Sequence, residues 1–115
     1  SARLNWYTLL EQGSIDEFYG DIGGWIEDAD VPAFITALRD EVQEKLHLPI
    51  SIGAAPSKYT AKLATNHAKP FGVKTVFKDD VDAFIHDIPI EDFPGIGRKT
   101  TKKLHDYGLQ TLGDI

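Results

Sequence analysis

The chain has 115 residues, 42% of them hydrophobic and 26% charged, with a formal net charge of −6 and no cysteine. That length suits one ordinary globular domain and the missing thiols exclude a disulfide framework or a thiolate metal site. No run approaches the ~18 apolar residues of a membrane span, and no N-terminal stretch has the layout of a secretory signal. A reducing, cytoplasmic setting is the expectation. The chain begins Ser-Ala and holds no methionine, so it is expected to be an excerpt of a longer product.

The acidity is unevenly spread. Residues 1–48 hold 10 acids against Arg3, Arg39 and Lys45; residues 49–115 hold 8 acids against 9 bases. The bases cluster as Lys58, Lys62 and Lys69, then Arg98, Lys99, Lys102 and Lys103. A phosphate-binding surface needs such local positive potential rather than a basic whole.

In chain order, residues 6–12 are rich in β-favouring types and precede Gly13. Ile15 to Ile22 reads as a second strand, closed by Gly23-Gly24. Asp28 or Asp30, with Pro32 in the first turn, opens a helix of about 16 residues. Its apolar face is Val31, Phe34, Ile35, Leu38, Val42 and Leu46; Arg39, Asp40, Glu41, Glu44 and Lys45 are expected on a solvated face. Pro49 blocks continuation, and residues 50–55 form a short strand. Ser57 is the N-cap of a helix running to about Ala68, before Lys69-Pro70 stops it. Val73 to Phe77 is a further strand, and Asp79 or Asp80 is expected to cap a short helix over Val81, Phe84 and Ile85. The order implies an α+β fold, with helices on one face of a largely antiparallel sheet. After Pro89 the punctuation changes. Pro94-Gly95-Ile96-Gly97 leads into a helix from Arg98 to about Tyr107, stopped by Gly108. A subdomain boundary is expected here, dividing residues 1–88 from 89–115.

Three stretches could carry chemistry. In Ser14-Ile15-Asp16-Glu17-Phe18-Tyr19-Gly20-Asp21, three carboxylates fall in a strand-like run. A bend that brings Asp16 and Glu17 toward one point would suit Mg²⁺, which takes one or two protein carboxylates and fills its remaining positions with water and substrate phosphates. The alternative is an acidic surface hairpin. Around a helical wheel Lys58, Lys62 and Lys69 fall within roughly 40° of one another, opposite Ala61, Ala64 and Ala68. Such a stripe suits a triphosphate or DNA, and equally an ordinary solvated face. In Gly95-Ile96-Gly97-Arg98-Lys99-Thr100-Thr101-Lys102-Lys103, glycines ahead of a helix start expose N–H groups that suit a phosphate, with bases around them. The bland reading is an inter-helix turn with a solvated basic face. His47, His67, His86 and His105 fit no metal spacing. Asp79-Asp80 and Asp82 lack the glycine and distal glutamate of a calcium loop.

Three motifs stand in order: Ser14 to Asp21; Ser51-Ile52-Gly53 through Lys58, Ala61-Lys62-Leu63-Ala64 and Ala68-Lys69-Pro70 with Gly72; and Phe93 through Leu104 followed by Gly108 to Asp114. Together they resemble the Y-family (UmuC/DinB type) DNA polymerases, over residues 11–115. The resemblance implies a palm subdomain to about residue 88 and then the start of a helix-hairpin-helix thumb. It implies Asp16 and Glu17 as catalytic ligands of Mg²⁺, two ions in the full-length enzyme, with Ser14 supporting the turn. It implies Lys69 as a triphosphate contact, and Gly95, Ile96, Gly97, Arg98, Lys99 and Lys102 on the DNA backbone. The partners implied are primer–template DNA and a deoxynucleoside triphosphate, with any processivity-clamp contact made through other parts; no membrane is involved. The chemistry would be two-metal nucleotidyl transfer in translesion synthesis and repair, a setting of damage-induced (SOS) expression. Gly20 stands where the family has a larger apolar residue. The family's first strand with its metal-binding Asp, its fingers and its little finger are not in this sequence. The piece alone is therefore expected to be inactive, with an exposed sheet edge prone to self-association. A different reading is a noncatalytic DNA-binding module that uses the hairpin on a palm-like scaffold. A nucleotide cyclase would share the carboxylate pair but has no use for the Phe-Pro-Gly-Ile-Gly clamp.

Overall fold

The computed structural model describes residues 6–12, 16–21, 26–93 and 95–115, with the backbone alone for 11, 12 and 16–21. The turn expected at Gly13 to Ile15, the Gly23-Gly24 stop and Pro94 lie outside the described residues. The chain divides into two compact units, 1–78 and 79–115. The division falls ahead of Pro89, and the second unit includes the short helix over Val81–His86.

In the first unit, β1 (Tyr7–Gln12), β2 (Asp16–Asp21), β3 (Ser51–Ala55) and β4 (Val73–Thr75) form a sheet in the order β2-β1-β3-β4. β1 pairs antiparallel with β2 and with β3, whereas β3 pairs parallel with β4. The sheet is thus largely antiparallel and the unit is α+β, as the order of elements implies. α1 (Val31–Leu46) starts with Pro32 in its first turn and ends at His47, whose φ of 56° is left-handed. α2 (Lys58–Ala68) is capped by the Ser57 hydroxyl, which accepts from the Thr60 N–H at 3.1 Å. Asp30 sits at the N-cap of α1 without a side-chain cap; Asp28 instead accepts from the Trp6 indole N–H at 2.8 Å.

The two helices cover different faces. Trp6, Ile52 and Ala54 are fully buried with Val31 and Ile35 of α1, and Leu10 packs against that cluster. Trp6 meets Phe77 edge-on at 5.5 Å. Each fully buried aliphatic of this size stabilises the fold by about 1.5–3 kcal/mol. Gly53, between Ile52 and Ala54, presents the opposite face: a Cβ there would lie 2.4 Å from the Thr65 nitrogen of α2. Leu9, which pairs with Gly53, is fully buried, and its carbonyl lies 3.1 Å from the Thr65 hydroxyl. Since neighbours on a strand point to opposite sides, α1 lies over the Ile52 side and α2 over the Gly53 side. Helix periodicity tells that a helix has an apolar stripe, not which face of the sheet the stripe meets; hence the expectation of a single covered face is refined.

The second unit holds α3 (Val81–His86) and α4 (Arg98–Asp106), with 3₁₀ turns at Ile90–Asp92 and Leu112–Asp114. A 3₁₀ turn at Lys78–Asp80 leads into α3, and Asp80 at its N-cap makes no side-chain cap bond, contrary to the expected capping. The backbone near Pro89 is tied to the chain end: Ile90 N–H donates to Gln110 O and Leu112 N–H to Ile88 O, each at 2.9 Å. Ile90 is fully buried and Ile88 nearly so.

Candidate functional site

Asp16 and Glu17 open β2, opposite Gln12 and Glu11 of the central strand β1. Their side chains, with Ser14, lie outside the described residues. The donor set nonetheless fits a hard divalent ion: two adjacent carboxylates, with neither sulfur nor imidazole beside them in sequence. Among the described residues no group of three or more His, Asp or Glu side chains gathers to hold a metal.

Lys69 ends α2. Its N–H still donates to Thr65 O at 3.2 Å, but its ψ of 148° takes the chain out of the helix, as a following proline requires. The side chain is exposed. The next residues fold back on the helix they leave: a Cβ on Gly72 would fall 2.1 Å from Ala68 O, so only glycine fits there. Gly72 O accepts from Ile52 N–H of β3 at 3.0 Å, which fastens the loop to the sheet. Phe71 holds a left-handed φ of 53°. Over its ring, at 4.9 Å, lies the Arg39 guanidinium, whose Nη1 also donates to Phe71 O at 3.3 Å. Arg39 therefore does not belong to the solvated face of α1; its side chain is only 21% exposed. Sequence spacing misses this pair, because 32 residues separate its members and neither carries a motif.

Of the lysine stripe, Lys58 and Lys69 are exposed and Lys62 is half-buried. Of the alanine face, Ala61 and Ala64 are fully buried and Ala68 is half-buried.

In the second unit, Gly95 takes a φ of 92°, a conformation that disfavours any residue with a Cβ. Gly97 is the N-cap of α4 and makes no side-chain cap, so the first-turn N–H groups have no side chain on them from that position. Arg98, Lys99, Lys102 and Lys103 are all exposed. On α4 their positions span roughly 140° of arc, away from the half-buried Thr101 and Leu104. An open groove of about 440 Å³ runs beside them, lined by Glu91, Ile96, Arg98, Thr101, Lys102 and His105. His105 Nε2 lies 3.2 Å from a Glu91 carboxylate oxygen, near the turn before the hairpin, but without the geometry of a hydrogen bond. Glu91 and His105 carry no sequence signal for this groove. The arrangement sets exposed cations beside backbone N–H groups, a combination that suits phosphate oxygens.

Comparisons with known proteins agree with these pieces. The impB/mucB/samB family model matches residues 3–66, and the helix-hairpin-helix motif model of the same family matches residues 78–109. The chain is 39% identical over 106 residues to a protein named DNA polymerase IV from Methanoculleus marisnigri, covering 92% of this chain and 29% of that protein. It is 40% identical over 119 residues to one of the same name from Bacillus velezensis, covering 97% of this chain and 27% of that protein. The chain thus spans under a third of the length of these relatives. Among solved structures, DinB from Sulfolobus solfataricus superposes with a TM-score of 0.78 at 29% identity, over 91% of this chain and 31% of that one. An insertion ternary complex of Dbh DNA polymerase superposes at 0.75 with the same identity and coverage. The resemblance to Y-family polymerases carried by the three motifs is therefore the one that whole-chain comparison returns, and the chain belongs to the impB/mucB/samB family.

Proposed function

We propose that this chain is the palm and the start of the thumb of a DNA-directed DNA polymerase of the translesion type, acting on primer–template DNA and deoxynucleoside triphosphates. The observation that carries the reading is the pairing of two phosphate-directed elements in one family-matched chain. One is the exposed Lys69, set on a pinned loop after α2. The other is the Gly95–Gly97 hairpin with an exposed basic helix behind it.

In this reading Asp16 and Glu17 hold Mg²⁺, and the triphosphate docks against Lys69. When bound, the metal supplies activation of the primer 3′-hydroxyl and neutralises charge on the leaving pyrophosphate. The work of the protein is positioning. Lys69 orients the triphosphate; the N–H groups of Gly95 and Gly97, with Arg98, Lys99 and Lys102, hold the DNA backbone and set its register irrespective of sequence, while Ile96, whose N–H donates to Phe93 O at 3.3 Å, shapes the turn between them. The palm portion in this reading runs to about residue 88 and the thumb starts after it; the separation of the chain into two compact units supports a two-part organisation.

The test is primer extension with Mg²⁺ by the full-length protein, beside a variant carrying Asp16→Ala and Glu17→Ala. Extension that disappears in the variant is the expected result. A folded parent that binds primer–template without extending it would reassign the chain to a noncatalytic DNA-binding role. The 115-residue piece by itself is expected to incorporate no nucleotide; incorporation that Asp16→Ala abolishes would overturn that part.

A further inference from the structure

We infer that Arg39 is a positioning residue for Lys69, acting through Phe71. The loop from Lys69 to Phe71 lies on the surface, with all three residues exposed and little core of its own to hold it. It nevertheless carries a bulky aromatic at a left-handed φ of 53°, a conformation that favours glycine or asparagine. A backbone so placed persists only where its surroundings over-determine it. Arg39 supplies that constraint from a different element, α1. Its guanidinium lies 4.9 Å from the Phe71 ring centre, and Nη1 donates to the Phe71 carbonyl at 3.3 Å. The guanidinium is held in turn by Asp40, whose Oδ1 accepts from Nε at 3.0 Å and lies 2.9 Å from Nη2 in an ion pair. An arginine can do this and a lysine cannot, because stacking and forked donation both need the planar group.

The loop is therefore held at three points. Lys69 N–H is tied to Thr65, the Phe71 carbonyl and ring to Arg39, and the Gly72 carbonyl to Ile52. Lys69 is the sole charged residue of the stretch 69–72, so a rigid loop here has one charge to aim. Arg39 touches neither nucleotide nor metal in this account; it narrows the orientations open to the Lys69 side chain.

The inference rests on the reading of Lys69 as a triphosphate contact, and the experiment separates the two. Lys69→Ala, Arg39→Ala, Arg39→Lys, Phe71→Leu and the Lys69→Ala/Arg39→Ala double variant are made in the full-length polymerase. Single-nucleotide incorporation then yields KM for the incoming nucleotide and kcat. Arg39→Ala is expected to raise KM by about five- to tenfold, the size of a lost stack and hydrogen bond, with kcat little changed. Arg39→Lys and Phe71→Leu should shift KM in the same direction, and the double variant should be no worse than Lys69→Ala alone. A raised KM in Lys69→Ala with a normal one in Arg39→Ala and Phe71→Leu, or effects that multiply in the double variant, would overturn the positioning role and leave the triphosphate contact standing. A normal KM in Lys69→Ala would overturn both. Should Arg39→Ala fail to fold, Phe71→Leu and Arg39→Lys decide by the same criterion.

Discussion

Gly53 of β3 lies directly beneath Thr65 of α2: a Cβ at Gly53 would sit 2.4 Å from both the amide nitrogen and the hydroxyl of Thr65, and 2.6 Å from Ala61 O. Two of these three atoms are helix backbone, which cannot step aside by a change of rotamer. The close approach places the end of α2, and with it Lys69, at a set height over the sheet. Gly53→Ala is therefore expected to destabilise the fold by about 1–3 kcal/mol, as overpacking of a dense interior does. Urea unfolding of the two proteins at equal concentration checks this; an unchanged midpoint would mean that α2 can lift off β3 at no cost.

Thr65 contributes more than bulk. Its hydroxyl lies 3.1 Å from Leu9 O and 2.8 Å from Ala61 O, so its one proton serves either carbonyl in turn. Thr65→Val keeps the shape and loses that donor. A loss of about 1–2 kcal/mol is expected, because Leu9 O is buried beside it. Equilibrium denaturation of Thr65→Val, compared with Thr65→Ser, separates the donor from the methyl group: the serine variant should retain more of the stability.

The basic helix α4 is expected to bind DNA through phosphates alone. Lys99→Ala and Lys102→Ala in the full-length protein should each weaken duplex affinity equally across unrelated sequences, and lower the slope of log K against log salt by about 1. Fluorescence anisotropy over a salt series reads both quantities. A sequence-dependent loss would contradict a backbone-only contact.

The chain end should respond to acid. Gln110 and Thr111 donate their backbone N–H groups to one Asp114 carboxylate oxygen at 2.9 and 3.0 Å. These bonds, that from Gln110 foremost, hold the Asp114 carboxyl below its ordinary value of 3.8. A depressed folded value means the stabilisation is fully present above the ordinary value and fades as pH falls through the folded one. Amide exchange at Gln110 and Thr111 is thus expected to lose protection on acidification below about pH 4, near the ordinary carboxylate value. In Asp114→Asn that acid dependence should vanish; identical exchange profiles in the two proteins would remove Asp114 from the account.

Much of the candidate site is legible along the chain because its determinants are local. Ser57 announces α2 by capping it, Pro70 announces its end and so the place of Lys69, and Gly95 and Gly97 announce the hairpin before α4. Such signals act over one turn of backbone, through dihedral limits and unpaired N–H groups, and need no partner distant in sequence. The strand carrying Asp16 and Glu17 is legible for the same reason, from its β-favouring neighbours.

Other features depend on contacts between segments that spacing does not connect. Arg39 reads as one more solvated charge on α1 until Phe71, 32 residues later, arrives beneath it. Gly53 is one more residue of the 50–55 strand until α2 settles on it, and nothing in the alternation of β3 says which helix takes which face. Glu91 and His105 meet only when α4 packs back on the turn before it. By itself the sequence determined the elements, their order and the charged groups they carry, since each follows from the local conformational preferences of a few residues. Only the tertiary structure decided the faces, the close approaches and the clasp on the Lys69 loop, since each depends on excluded volume and on partner atoms brought together by folding.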